Sequence, residues 1–191
     1  MNTDSYRRIL LTLLLLGLLL PAAGAQGALA GAAATGTITG TVDGSALQWN
    51  TLEIDVEGEK QNTATYNVMM DMFYNFSLQG HQDGRLIEGA VSIDFSSFSG
   101  PLIACPCEFT GDIMYWTTTA MFDDVYLANE AVITVLEAEE LPNGDLRLVG
   151  TAEGQLDFHA NLMSQEEPAG DPVAITLEFS IDKVTLVELD F

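Results

Sequence analysis

Cys105-Pro106-Cys107 contains both cysteines of the chain, and it is the spacing with the most intrinsic reactivity. Two thiols at i and i+2 can close a small disulfide, share a soft metal ion, or exchange with a thiol elsewhere. Their Cα atoms lie roughly 5.5–7 Å apart in extended chain, the upper edge of disulfide reach. Pro106 fixes its own φ and pushes Cys105 toward extended geometry. In an oxidising compartment such a pair oxidises. The expectation is a disulfide staple in the segment Pro101 to Glu108, with intermolecular or metal-linked pairing and redox activity as alternatives.

Sulfur is also concentrated at Met69, Met70 and Met72, with His81 downstream. Thioether and thiolate ligands select Cu(I), so copper is one chemistry this run could support. On a strand, Met70 and Met72 share the parity of Tyr66 and Val68, which is the core direction, so packing is the expected role.

Carboxylates are the most abundant polar resource. Glu53, Asp55, Glu57 and Glu59 alternate along one strand and its turn, Glu137, Glu139 and Glu140 cluster, and Asp123-Asp124 precedes Asn129 and Glu130. Calcium takes about six to eight oxygens from a loop that wraps it. Neither EF-hand spacing nor the glycine-rich nonapeptide pattern occurs. Asp123 and Asp124 are therefore the candidate calcium pair, weighed against a solvated acidic face.

His81 and His159 stand in neither a Gly-x-Ser-x-Gly nor a His-Glu-x-x-His setting. No glycine-rich phosphate loop links a strand to a helix, so no catalytic residue and no cofactor are assigned, and a non-enzyme is expected. Trp49, Tyr115 and Trp116 are the binding candidates, because flat rings on a sheet face can stack on sugars or an apolar partner. Trp49 falls on the parity opposite Leu52 and Ile54, which would expose it. Tyr115 and Trp116 are adjacent, so a strand turns one of them to the core.

Strands must position all of these residues. From Thr35 onward the apolar pattern has period two. Val173, Ile175, Leu177, Phe179 and Ile181, then Thr185, Val187, Leu189 and Phe191, share one face, while Glu178, Ser180 and Asp182 lie on the other. Leu146, Leu148, Leu156, Phe158 and Leu162 form another inward row, interrupted at Gly150 and Gly154, with Asp157 and His159 outward. The segments Leu52 to Val56, Tyr66 to Met72 and Ile87 to Phe95 add three more strands. Asp43-Gly44, Asp83-Gly84 and Asn143-Gly144 supply tight-turn chemistry between them. The expected fold is all-β, an antiparallel β-sandwich with a small closed barrel as the alternative. An alternating last strand ending in Phe191 also admits an outer-membrane barrel, in which the apolar rows would face lipid.

The chain opens with Arg7-Arg8, an apolar run from Ile9 to Leu20 and the small-residue site Ala23-Gly24-Ala25. That is the layout of a cleavable secretory signal over residues 1–25, and the run is too short for a permanent transmembrane helix. Residues 26–34 read as a flexible leader and 35–191 as a single β domain. The whole chain carries a formal charge of −22, and after cleavage its remaining bases are Lys60, Arg85, Arg147 and Lys183. A surface so negative repels nucleic acid and anionic lipid. Together these features point to an exported protein, periplasmic or extracellular, that binds a protein or glycan partner or an ion without catalysis.

Overall fold

The computed structural model describes residues 31–70, 72–83, 85–98, 105–164 and 167–187. The expected signal peptide at 1–25 lies outside the described residues, as do Gly84, Leu189 and Phe191. Ten strands are present: β1 (Ala33–Val42), β2 (Ser45–Val56), β3 (Glu59–Asn62), β4 (Ala64–Met69), β5 (Phe73–Gly80), β6 (Val91–Ser97), β7 (Cys107–Trp116), β8 (Asp123–Glu140), β9 (Leu146–Asn161) and β10 (Ala169–Leu186).

The sheet runs β3-β2-β1-β10-β4-β5-β6-β7-β8-β9, and β9 pairs again with β10. One edge of β10 therefore carries β9, while the other carries β1 and then, at Thr185 and Leu186, a short parallel ladder to β4. The circuit from β4 to β10 closes on itself. The β1–β2 hairpin spans the gap left between β10 and the end of β5, where Asn50 pairs with His81. The expected all-β antiparallel architecture thus takes its closed form, and closure satisfies strand edges that an open sheet would leave unpaired. Asp43 and Gly44, both at positive φ, make the two-residue turn between β1 and β2 as their sequence demands.

The inward rows fill the interior. Ile175, Leu177, Phe179 and Ile181 of β10 and Leu146, Leu148, Ala152 and Leu156 of β9 belong to one core with Ile38, Trp49, Ile93, Ile113 and Ile133. Tyr66 stacks on Phe76, Phe76 on Phe95, and Phe95 tilts against Phe109, so four neighbouring strands share one aromatic ladder. A second, smaller cluster of Ala90, Met114, Trp116, Val125 and Leu127 forms on the other face of β7 and β8, beneath Ile87 and Leu162.

Several sequence expectations are corrected here. Trp49 is fully buried, whereas Ile54 and Val56 are only half-buried, so the inward parity of β2 is the reverse of the one expected over its first half. Thr51 and Leu52 are both buried, so burial changes faces there, opposite the bulge in β1 between Ala34 and Gly36. Met70 and Met72 do not face the core. They lie in the β4–β5 turn and are 82% and 54% exposed, because the hairpin closes at Met69 and Phe73 and ends the alternation two residues early. Ile87 belongs to a loop rather than to β6, and His159 is buried rather than outward. The strand signal starts at Ala33, within the expected leader.

Candidate functional site

Two loops rise at the same end of the barrel: residues 81–90 between β5 and β6, and residues 117–122 between β7 and β8. Each is tied down by a tryptophan. Trp49 donates its Nε1 hydrogen from the core to the Gly89 oxygen at 2.6 Å, and Trp116 donates to the Met121 oxygen at 3.0 Å. Backbone bonds from Gly89 N to Trp116 O and from Trp116 N to Ala90 O join the first loop to the end of β7. Both tryptophans are thus loop anchors, and the expected exposed platform of Trp49, Tyr115 and Trp116 does not form. Of the three, Tyr115 alone is half-buried and reaches the solvent-facing rim, with its ring edge-on to Trp49 at 6.3 Å.

Between the loops lies a cleft of about 230 Å³, lined by Gln82, Asp83, Arg85, Glu88, Gly89, Tyr115 and Thr117. Arg85 and Glu88 pair across its rim at 3.0 Å. Burial raises the Tyr115 hydroxyl above the ordinary phenol range, and nearby Tyr126 adds to the shift. His81 supports the loop from below. Its Nδ1 lies 3.1 Å from the Arg85 carbonyl, which can only accept, so the hydrogen sits on Nδ1. Burial lowers the His81 pKa against the opposing pull of the Arg85 and Leu86 carbonyls. Its Nε2 is buried and has no hydrogen-bond partner among the described residues. A neutral imidazole is the form this loop holds.

The other sequence candidates lie elsewhere. Cys105 and Cys107 stand at near-disulfide distance at the start of β7, with Cα atoms 4.6 Å apart. Cys105 packs partly against the core. Asp123 and Asp124 open β8. Asp123 accepts a hydrogen bond from Asn161 Nδ2 at 2.6 Å, and the backbone oxygens of Asp123 and Asp124 accept from Thr118 and Thr117. Among the described residues, no group of three His, Cys, Asp or Glu side chains could hold a metal.

One carboxylate pair escaped the sequence reading. Asp94 and Asp112 stand opposite one another on β6 and β7. Ser92 Oγ donates to Asp94 at 2.6 Å, and Ser77 is its cross-strand neighbour on β5. Burial raises both acids, and the Asp94 charge adds to the rise at Asp112, which reaches about 6. Only the register of three strands brings these residues together, so no local motif announces them. The cleft residues Gln82, Arg85 and Glu88 were equally silent, although the polar segment with Asp83-Gly84 marked a turn there.

No known protein family, curated protein or solved structure matches this chain.

Proposed function

We propose that this is an exported, non-catalytic binding protein of the cell envelope, and that the cleft between residues 82–89 and 115–117 receives a glycan. The observation that carries the reading is the lining itself. An aromatic ring, Tyr115, stands beside the side chains of Gln82, Asp83, Arg85, Glu88 and Thr117 in one concavity. Sugars present an apolar ring face and a rim of hydroxyls, and such sites pair a ring with a few fixed polar groups. The anchors support preorganisation, because Trp49 and Trp116 hold both loops without their own rings taking up the cleft.

The outward row of β10, Thr176, Glu178, Ser180 and Asp182, is exposed and polar. This favours an aqueous exterior over the lipid-facing apolar band of an outer-membrane barrel.

Glycan-array screening followed by calorimetry tests the proposal. Binding by the wild-type chain should fall at least tenfold in Tyr115→Ala and in Gln82→Ala, with the fold intact. Absence of any glycan ligand, or unchanged binding in both variants, overturns it.

A further inference from the structure

The β4–β5 turn lies at the other end of β5 from the cleft and has a separate chemistry. We infer that Met69, Met70 and Met72 form a soft-metal site for a monovalent d10 cation, Cu(I), on the surface of the protein. The three side chains are 37%, 82% and 54% exposed. Methionine is ordinarily a packing residue, and here three close in sequence all reach solvent, Met70 almost fully. Turn chemistry does not explain them either. Met70 sits at φ 54°, a left-handed position that glycine, asparagine or aspartate occupies at lower cost, and a side chain such as methionine there costs about 1 kcal/mol. Neither the core nor the backbone asks for methionine at this position. Shared thioether chemistry does.

The backbone brings the three methionines to one turn. β4 and β5 pair up to Met69 and Phe73, and Met72 N donates to Met69 O at 3.2 Å, closing the turn. Cα atoms at the ends of such a turn lie within about 7 Å. A methionine side chain has three rotatable bonds, so thioethers rooted that close can converge on one ion without moving the strands. Phe73 and Phe98 meet edge-on at 4.8 Å beside the turn and give the site an apolar shoulder.

Charge assists and softness selects. The whole chain carries a formal charge of −22. Each of Lys60, Arg85, Arg147 and Lys183 is already ion-paired. The long-range field therefore concentrates cations near the surface. Uncharged thioethers discriminate against calcium and magnesium, which take oxygen, and favour Cu(I) and its surrogate Ag(I).

The test uses the full chain in a Cys105→Ser/Cys107→Ser background, so that thiolates cannot contribute. Ag(I), and Cu(I) supplied as its acetonitrile complex, are titrated while native mass and the 13C-methyl resonances of methionine are followed. One ion should bind, shifting the methyls of Met69, Met70 and Met72 and leaving those of Met114 and Met163 in place. The triple variant Met69→Leu/Met70→Leu/Met72→Leu keeps the apolar surface and should bind at least tenfold more weakly, with an unchanged circular dichroism spectrum. No uptake by the parent chain overturns the site, as does equal affinity in the leucine variant. A turn that mattered only as an apolar contact would give that second result.

Discussion

The Trp49 indole and the Gly89 carbonyl meet at 2.6 Å across 40 residues of chain, joining the centre of the core to the rim of the cleft. This bond makes the loop geometry depend on a residue that cannot itself touch a ligand. Trp49→Phe keeps most of the ring volume and removes the donor. It should cost about 1–2 kcal/mol and speed amide exchange through residues 81–90 well beyond that in β9. Trp49→Ala adds a cavity and should cost about 3–5 kcal/mol. Urea unfolding combined with hydrogen exchange separates the two effects. Unchanged exchange in the loop of the phenylalanine variant would show that the bond does not hold it.

Asp94 and Asp112 make stability depend on pH in an unusual direction. Burial raises both folded pKa values, against hydrogen bonds from Ser92 and Ser77 at Asp94, and the Asp94 charge adds to the rise of Asp112 to about 6. The native state therefore binds more protons than the unfolded chain between about pH 4 and 6, and stability falls as pH rises through that window. Glu53 behaves oppositely. Hydrogen bonds from Lys183 and Lys60 hold it at about 2, so its contribution is present above about pH 4.5 and is lost on acidification toward pH 2. The urea midpoint should accordingly peak near about pH 4.5. Asp112→Asn should flatten the arm above the peak and stabilise the protein at pH 7 by about 1–2 kcal/mol, allowing for solvent screening. Glu53→Gln should flatten the acid arm. A midpoint that climbs steadily from pH 5 to pH 7 contradicts this account.

How much of this was visible in the residues depends on the distance over which each feature is determined. The alternating rows of β9 and β10 and the turn at Asp43-Gly44 are local, and the structure follows them. Ring closure is not local, because it needs β10 to offer one edge to β9 and the other to β1 and β4. The inward face of Trp49 depended on which side of β2 the rest of the sheet covers, and both sides are covered at Thr51 and Leu52. The exposure of Met70 depended on where the β4–β5 hairpin turned. Period-two counting cannot register either event, since a shift of one residue moves a side chain to the opposite face. The cleft and the Asp94–Asp112 pair are products of register, which explains why composition drew attention to Asp123 and Asp124 instead.

Gly150 shows how closely the ring is packed. A methyl group there would lie 2.3 Å from the Thr134 oxygen and 2.5 Å from Cζ of Phe179. The gap in the inward row of β9 is the space that the Phe179 ring fills. Gly150→Ala should therefore destabilise by about 1–3 kcal/mol through overpacking. Because Phe179 is one of the two groups in the way, Phe179→Leu should cost less in the Gly150→Ala background than in the parent. A double-mutant cycle in urea measures that coupling. Strictly additive effects would mean that the β8 backbone alone sets the cost.

A Cys105–Cys107 bridge encloses a loop of minimal length, its two ends being separated by two positions in sequence. Loop-closure entropy for so small a ring limits its stabilisation to about 1–2 kcal/mol, far less than a bridge spanning the sheet would provide. Its effect should also be local. Cys107 is paired with Val135 at the first rung of the β7–β8 ladder, whereas the cleft lies at the far end of β7 beyond Tyr115. Cys105→Ser/Cys107→Ser should lower Tm by about 2–5 °C and raise amide exchange from Glu108 to Thr110, leaving residues 81–90 and 117–122 unaffected. Calorimetry and hydrogen exchange on the double variant check both parts. If exchange also rose around Gly89, the bridge would be acting through the whole length of β7, and a local staple would no longer describe it.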